Sequence, residues 1–318
     1  MKNLLLLCLL AAVPLPAQYT YSIHRDMNAR RAGEANEVRI DVSTGGRVVH
    51  TVRRTLPFDV PYPLVTLETG SGVMVLRYVF DGFVEVYGPE GRMRWTHTFF
   101  KDEEPNYERT IGCRFFGEDV LFLVSDSKRE RAVVHRYSGS GALQWTAELP
   151  FPTAYELAAS EDENVIVAGS YEALEDEVRT AATFLTPDGT VEWSAPILFR
   201  HAVFPKEAGT AVLASEREML VADIRQRRVT ARSGRATDGI ITGIAVRNGN
   251  VLAAETEVGT EGMGFSYRNA ALVVRDLRLE QIRTIRGEGS SVTAPQIVLD
   301  AGTARLEAPG ISLSVPLE

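Results

Sequence analysis

The chain has 318 residues, of which 45% are hydrophobic and 24% are charged, and its formal net charge is −8. This composition excludes a disordered, collagen-like or polytopic membrane protein, and the acidic balance argues against a nucleic-acid partner held by a general positive surface. The length permits one large domain or two ordinary ones, with a core that needs neither disulfides nor metal for support.

The N-terminal segment has the pattern of a secretory signal peptide. Lys2 provides a short positive region, residues 4–13 form an apolar run, and Ala17 suits cleavage before Gln18 or Tyr19. The three residues directly before Cys8 are leucines rather than the small residues that precede a lipid-modified cysteine. We therefore expect residues 1–18 to be removed without lipidation and residues 19–318 to form a single monomeric domain. That domain would be exported to a bacterial periplasm or the extracellular space, and no further run is long enough to cross a membrane.

The first internal repeat is a turn followed by a strand with tryptophan. Glycine stands four residues before tryptophan in each copy, and the tryptophans are 50 and 48 residues apart. The three copies are Gly91 with Trp95, Gly141 with Trp145, and Gly189 with Trp193. Weaker copies without tryptophan lie at 43–49, 225–229 and 278–282. A period of this length indicates a repeat architecture.

The second repeat is a polar turn followed by a short apolar strand. Its six copies lie at 72–76, 119–123, 164–168, 210–214, 250–254 and 303–306. Short strands of this kind, bounded by turn residues at such a period, are typical of four-stranded propeller blades. The two repeats together predict an all-β protein, a β-propeller of six four-stranded blades whose closing blade is shared by the N- and C-termini. Additional strands predicted at 19–23 and 311–315 leave seven blades as the alternative.

These residues resemble the repeat of the PQQ-like (quinoprotein-type) β-propeller superfamily. The resemblance implies that Trp95, Trp145 and Trp193 pack between neighbouring blades, and that the three paired glycines occupy outer hairpin turns. The quinone-dependent dehydrogenases of that superfamily have more blades and often a vicinal cysteine pair, which this chain lacks, so the resemblance does not imply a cofactor. It extends to outer-membrane assembly scaffolds, although those are lipoproteins.

Motifs that carry chemistry are scarce. The sequence has no nucleophile elbow, zinc-protease motif, P-loop or EF-hand spacing. The mature chain keeps a single cysteine, Cys113, which we expect to be a buried strand residue. Its histidines lack ligand spacing, so we expect no metal site and no cofactor. His201 and the adjacent Arg200 differ from the rest because they lie on a predicted connection between blades, on the face where propellers usually bind ligands.

Loop length is the other indication of a binding surface. Three predicted loops, at 99–109, 170–180 and 256–269, are longer than a blade needs. Tyr107, Arg109 and Tyr267 lie on two of them and are residue types enriched at recognition surfaces. The alternative is that these loops are tolerated insertions.

Two functions follow. The first is an exported, non-catalytic scaffold that binds a protein or a glycan through its loop-rich face. The second is a small periplasmic enzyme of the lactonase or quinone-dependent sugar dehydrogenase type, with a metal or cofactor at a central channel. The predicted inner strands offer one carboxylate, Glu156, which favours the scaffold.

Overall fold

The structure is a computed structural model that describes residues 19–26, 34–57, 64–67, 73–78, 83–88, 91–99, 112–126, 129–206, 209–261, 264–300 and 302–317. The chain divides into two compact units, Met1–Tyr107 and Glu108–Glu318. The described residues form strands and turns and contain no helix, and accordingly no helix among them is long and apolar enough to cross a membrane.

The first unit contains two antiparallel sheets. Sheet 1 consists of β1 (Tyr19–Asp26), β2 (Ala35–Thr44) and β3 (Arg47–Pro57). Sheet 2 consists of β4 (Leu64–Leu67), β5 (Met74–Tyr78), β6 (Phe83–Tyr87) and β7 (Met93–Thr98). The two sheets share one buried cluster, made of Val38, Ile40, Val52, Met74, Leu76 and Tyr87.

The second unit contains five antiparallel sheets, numbered 3 to 7 in chain order. Sheet 3 consists of β8 (Gly112–Phe116), β9 (Asp119–Asp126), β10 (Arg131–Tyr137) and β11 (Leu143–Glu148). Sheet 4 consists of β12 (Thr153–Ser160), β13 (Val165–Ala173), β14 (Val178–Leu185) and β15 (Val191–Ala195). Sheet 5 consists of β16 (His201–Val203), β17 (Thr210–Ala214), β18 (Glu218–Asp223) and β19 (Arg228–Gly234). Sheet 6 consists of β20 (Ile240–Arg247), β21 (Asn250–Glu261), β22 (Gly264–Arg275), β23 (Gln281–Arg286) and β24 (Ser290–Ser291). Sheet 7 consists of β25 (Gln296–Asp300), β26 (Thr303–Ala308) and β27 (Ile311–Pro316).

Within the second unit, each sheet packs against the next one in the chain. Four separate hydrophobic clusters join sheets 3 and 4, 4 and 5, 5 and 6, and 6 and 7. On β13, Ile166 and Ala168 belong to the cluster with sheet 3, while Val165 and Val167 belong to the cluster with sheet 5. Burial on both faces explains why the second strands of sheets 3 to 6 read as continuous apolar runs instead of alternating ones.

The tryptophan repeat forms the hairpin between the third and fourth strands of a sheet. Gly91, Gly141 and Gly189 occupy these turns with φ of 73°, 89° and 87°. In the corresponding turns of sheets 5 and 6 the left-handed position is held by Arg227, with φ 54°, and Leu279, with φ 62°. A register shift of one residue follows the turn in each of sheets 1 to 6. Six hairpins therefore share one geometry, although three carry the Gly and Trp signature.

The described residues thus give seven sheets, whereas the two repeats favour six blades and leave a seventh open. The additional strands at 19–23 and 311–315 are present within β1 and β27. Sheet 1 contains the N-terminal strands β1, β2 and β3, and sheet 7 contains the C-terminal strands β25, β26 and β27. The blade count, the shared closing blade and the single domain stay predictions.

Two of the three predicted loops are instead β-hairpins. The segment 170–180 continues the pairing of β13 with β14 as far as Ala173 and Val178. The segment 256–269 continues the pairing of β21 with β22 as far as Glu261 and Gly264. Both hairpins continue past the last residue that pairs with the first strand of the sheet, Tyr171 on β13 and Thr256 on β21, and the part beyond is called here the projecting half. The remaining predicted loop lies outside the described residues except for Phe99.

Candidate functional site

The structure places the predicted binding residues in different parts of the chain. Tyr107 and Arg109 lie outside the described residues. Arg200 and His201 lie where the chain enters β16, and Tyr267 lies on the projecting half of β22. Arg200 lines a groove along the first strands of sheets 3 to 5, and Tyr267 lies on a hairpin beside a second cleft. The structure does not bring the two together in one site.

The first-strand groove has a volume of about 380 Å³. Its lining comes from β8, β12, β16 and the residues beside β16: Arg114, Glu156, Leu157, Ala158, Ala159, Ser160, Phe199, Arg200, Ala202, Val203 and Phe204. Most of these side chains are apolar, and three carry charge. The Arg114 guanidinium donates to the Glu156 carboxylate at 3.0 Å, and the same carboxylate accepts from the backbone N–H of Leu157 at 3.1 Å.

Tyr155 supports the segment that carries Arg200. Its hydroxyl donates to the carbonyl of Ile197 at 2.8 Å and accepts from the backbone N–H of Phe199 at 3.1 Å. Gly169 lies beneath the ring, where a Cβ would be 2.4 Å from a ring atom. Burial raises the pKa of Tyr155 and keeps the hydroxyl protonated. The Arg200 guanidinium carbon lies 5.9 Å from the ring centroid. Tyr155 therefore fixes the backbone of the connection and provides a ring face beside the Arg200 guanidinium.

His201 lies next to the groove without lining it. Its side chain is half-buried, and burial followed by the charge of Arg200 lowers its pKa below 6.5. The imidazole is therefore neutral at pH 7. Arg200 and Ala202, on either side of His201 in the chain, both line the groove.

The second site, the hairpin cleft, is larger and polar. Its volume is about 720 Å³ and its lining is Arg235, Ala236, Thr237, Asp238, Glu257, Asn269, Arg286, Gly287 and Glu288. One wall is the connection from β19 to β20, and another is the projecting half of the β21–β22 hairpin. Asn269, in a left-handed conformation with φ 50°, donates from its side-chain amide to Glu257 at 2.9 Å.

The buried Glu255 holds the wall formed by the β19–β20 connection. Its carboxylate, fully buried, accepts from the backbone N–H groups of Ala236 at 2.8 Å and Thr237 at 2.7 Å. Arg275 lies 3.8 Å away and donates to the carbonyl of Gly234 at 3.0 Å. Burial lowers the pKa of Arg275, and the charge of Glu255 opposes that shift. A buried carboxylate satisfied by backbone N–H groups fixes the loop that forms the cleft.

The hairpin presents apolar side chains beside this polar cleft. Val258 is 39% exposed and Phe265 is 61% exposed. Val258 pairs with Tyr267, and Phe265 pairs with Thr260. Directly opposed and alternate residues of a hairpin share one face, so Val258, Thr260, Phe265 and Tyr267 form a single surface, here called the hairpin face. Val292, which follows β24, is a further exposed apolar residue at 76%.

Sequence reasoning missed Tyr155 and Glu255 as organising residues. Tyr155 lies inside a strand that was predicted correctly, and nothing in its spacing marks its two backbone hydrogen bonds. Glu255 directly follows the apolar repeat at 250–254. A single carboxylate that continues a buried strand was the sequence signal that could have indicated its role. Within the described ranges, no group of three or more His, Cys, Asp or Glu residues is arranged to hold a metal ion.

Comparisons with known proteins support the fold. Neither any family model nor any curated protein matches this chain. Streptogramin B lyase is similar in structure, with 8% identity over 91% of this chain and 94% of the lyase, and a TM-score of 0.52. A chain in the mitotic checkpoint complex matches with 9% identity over 86% of this chain and 81% of its own length, and a TM-score of 0.56.

BamB from Moraxella catarrhalis matches with 12% identity over 93% of this chain and 98% of BamB, at a TM-score of 0.47, too low to carry an argument. Streptogramin B lyase is a β-propeller protein. At these identities the likeness concerns the fold alone, and together with the strands it shows an all-β, propeller-like protein.

Proposed function

We propose that this protein is an exported, non-catalytic β-propeller that serves as a binding scaffold and holds a partner at the hairpin face and the adjoining hairpin cleft. The observation that carries the proposal is the projecting half of the β21–β22 hairpin, where apolar and aromatic side chains are exposed next to a polar cleft. An apolar centre bordered by polar groups is the usual composition of a protein interface.

A protein is the partner that this surface favours over a glycan. Phe265 and Val258 are exposed apolar side chains on one face of the hairpin, and aromatic residues are common anchors at protein interfaces. The cleft itself is lined by charged and amide groups and by no aromatic ring. A sugar-binding site would be expected to place a ring in the cleft, for stacking against a pyranose face.

The edge of β21 adds a second mode of contact. β20 pairs with β21 only as far as Thr256. Within the described part of the chain, residues 257–261 pair with β22 alone, which leaves one edge of β21 open. An open edge can accept an extended segment of a partner through backbone hydrogen bonds.

The enzyme of the lactonase or quinone-dependent type remains the second candidate. The observation in its favour is the first-strand groove, which contains the one inner-strand carboxylate that the sequence indicates, Glu156. That carboxylate is already engaged by Arg114 and by a backbone N–H. A metal and cofactor inventory of the purified mature protein separates the two candidates, because a stoichiometric group whose removal lowers the melting temperature would favour the enzyme.

The experiment for the scaffold is site-specific photo-crosslinking in the native host. A photoreactive residue at position 265 should give one defined protein adduct, and the same residue at Val178, which is 58% exposed on the β13–β14 hairpin, should not. The purified partner is then titrated against Phe265→Asp and Val178→Asp. We expect at least a tenfold loss of affinity for Phe265→Asp alone. Adducts of equal yield at both positions, or no adduct at position 265, would contradict the proposal.

Export and architecture belong to the same proposal. The signal peptide within residues 1–18 is removed by cleavage before Gln18 or Tyr19, without lipidation. The rest forms one monomeric domain in the periplasm or outside the cell, and the repeat is of the PQQ-like type. We favour seven blades over six with a shared closing blade, because sheets 1 and 7 each contain three strands of their own terminus. Mass spectrometry of the mature N-terminus tests the export, and a lipid on Cys8 or a retained Met1 would contradict it.

A further inference from the structure

We propose that the first-strand groove is a binding site for a small amphipathic monoanion, a carboxylate with an apolar body, whose head group is held by Arg200. This site is separate from the hairpin face, and the inference does not depend on the proposed scaffold function.

Arg200 is the cation available for a ligand in this groove. It is exposed, and the described residues place no carboxylate or carbonyl acceptor against its guanidinium. The guanidinium carbon lies 5.9 Å from the centroid of the Tyr155 ring. The other groove arginine, Arg114, is already paired with Glu156. A guanidinium beside a ring keeps the N–H groups of its edge free, and these match the two oxygens of a carboxylate.

The walls of the groove suit an apolar ligand body. Ala158, Ala202, Val203 and Phe204, all partly exposed, contribute aliphatic and aromatic surface. A volume of about 380 Å³ is within the range of small-molecule sites, which are mostly apolar and contain a few placed polar groups. Small side chains at positions 158, 159 and 202 provide the open space, since larger residues there would fill it.

The charges of the groove favour a monoanion over a dianion. Arg114, Glu156 and Arg200 together give one net positive charge, and the Glu156 carboxylate remains in the same groove. A phosphate monoester, which carries close to two negative charges at pH 7, would be repelled by Glu156 more strongly than a carboxylate. A single carboxylate uses the free guanidinium and leaves the Arg114–Glu156 pair intact.

The fixed backbone around Arg200 supports a site rather than a chance surface. The two hydrogen bonds of the Tyr155 hydroxyl to Ile197 and Phe199 hold the approach to Arg200. The Arg200 backbone N–H also donates to the carbonyl of Ala214 at 2.7 Å. The guanidinium is thus carried by a backbone that is bonded on both sides, which lowers the entropy lost when a ligand binds.

The test is calorimetric or NMR titration with 3-phenylpropanoate, its neutral amide, 3-phenylpropylamine and phenyl phosphate. We expect the carboxylate to bind at least tenfold more tightly than each of the other three. Arg200→Gln should abolish the preference of the carboxylate over the amide, whereas Arg228→Gln, at an exposed arginine on β19, should leave it unchanged. Val203→Trp should weaken the carboxylate and the amide together by filling the groove.

Each opposite result would overturn the inference. These results are an absence of binding by all four probes, an unchanged preference in Arg200→Gln, or tighter binding of phenyl phosphate than of the carboxylate. Thermal melting of every variant accompanies the titrations. If Val203→Trp fails to fold, the comparison of Arg200→Gln with Arg228→Gln still decides the matter.

Discussion

The indole of Trp145 lies directly over Gly189 of the next sheet, so that a Cβ added to Gly189 would be 2.6 Å from a ring atom. The indole N–H donates to the carbonyl of Pro187, in the same turn, at 2.7 Å. In the first unit, the imidazole of His50 in sheet 1 covers Gly91 of sheet 2 in the same way. A Cβ added to Gly91 would overlap that ring. In both cases a ring near the start of the last strand of one sheet packs against the hairpin turn of the following sheet.

The first prediction concerns this contact. Gly189→Ala should destabilise the protein by about 1–3 kcal/mol more than Gly249→Ala, because both glycines have positive φ but only Gly189 faces a ring. Gly249 has nothing within 4 Å of its hypothetical Cβ and so reports the backbone penalty alone. Urea denaturation of the two variants measures the difference. Equal losses of stability would contradict the prediction, because they would show that the Trp145 ring can move to make room for the added Cβ.

The second prediction separates the indole N–H from the indole ring. Trp145→Phe should cost about 1 kcal/mol more than Trp193→Phe, since it also removes the hydrogen bond to Pro187. The Trp193 N–H is buried and has no partner among the described residues, while its ring stacks on Phe184 at 4.3 Å. Both changes remove similar apolar area. A greater loss for Trp193→Phe in the same denaturation assay would contradict the assignment.

Much of the fold was predictable because burial and turn chemistry leave direct signatures. The apolar repeat marks the second strand of six sheets, and the Gly and Trp pattern marks three hairpins. Sheets 5 and 6 were harder to read because Arg227 and Leu279 take the left-handed position that glycine holds elsewhere. Leu279 is 3% exposed and packs in the cluster between sheets 5 and 6. Packing of that side chain offsets the backbone cost of the conformation, so the turn keeps its shape without its signature.

The candidate sites were predictable only in part. Arg200 lies, as predicted, on the connection that precedes β16, whereas Tyr267, predicted on a loop, lies in strand β22. The sequence could not show that Tyr155 holds the Arg200 segment or that Glu255 holds the cleft wall. Those contacts join residues 42 or 44 positions apart for Tyr155 and 18 or 19 for Glu255. They depend on how strands and connections meet in three dimensions, which local patterns do not encode.

The third prediction concerns the wall of the hairpin cleft. Glu255→Gln should destabilise the protein by about 3–5 kcal/mol, because it leaves Arg275 buried without its counter-charge and replaces one of the two oxygens that accept backbone N–H groups with an NH2 donor. Glu257→Gln is the matched control: it is two residues away on the same strand, exposed, and should change stability by less than about 0.5 kcal/mol. Thermal melts of both variants test this, and similar melting temperatures would contradict the role given to Glu255.

The fourth prediction is a pH dependence that originates at His201. Its pKa in the folded protein lies below the ordinary 6.5 because of burial and the charge of Arg200. As the pH falls through 6.5, the unfolded chain therefore binds a proton that the folded chain does not, and the free energy of unfolding decreases. The expected result is a protein that is less stable at pH 5.5 than at pH 7.5. His201→Gln should reduce that difference, and Arg200→Gln should reduce it less, since its charge is the smaller cause.

Denaturation at the two pH values measures the effect, and NMR titration of the imidazole should place its midpoint below 6.5. An unchanged pH dependence in His201→Gln would assign the effect to other groups.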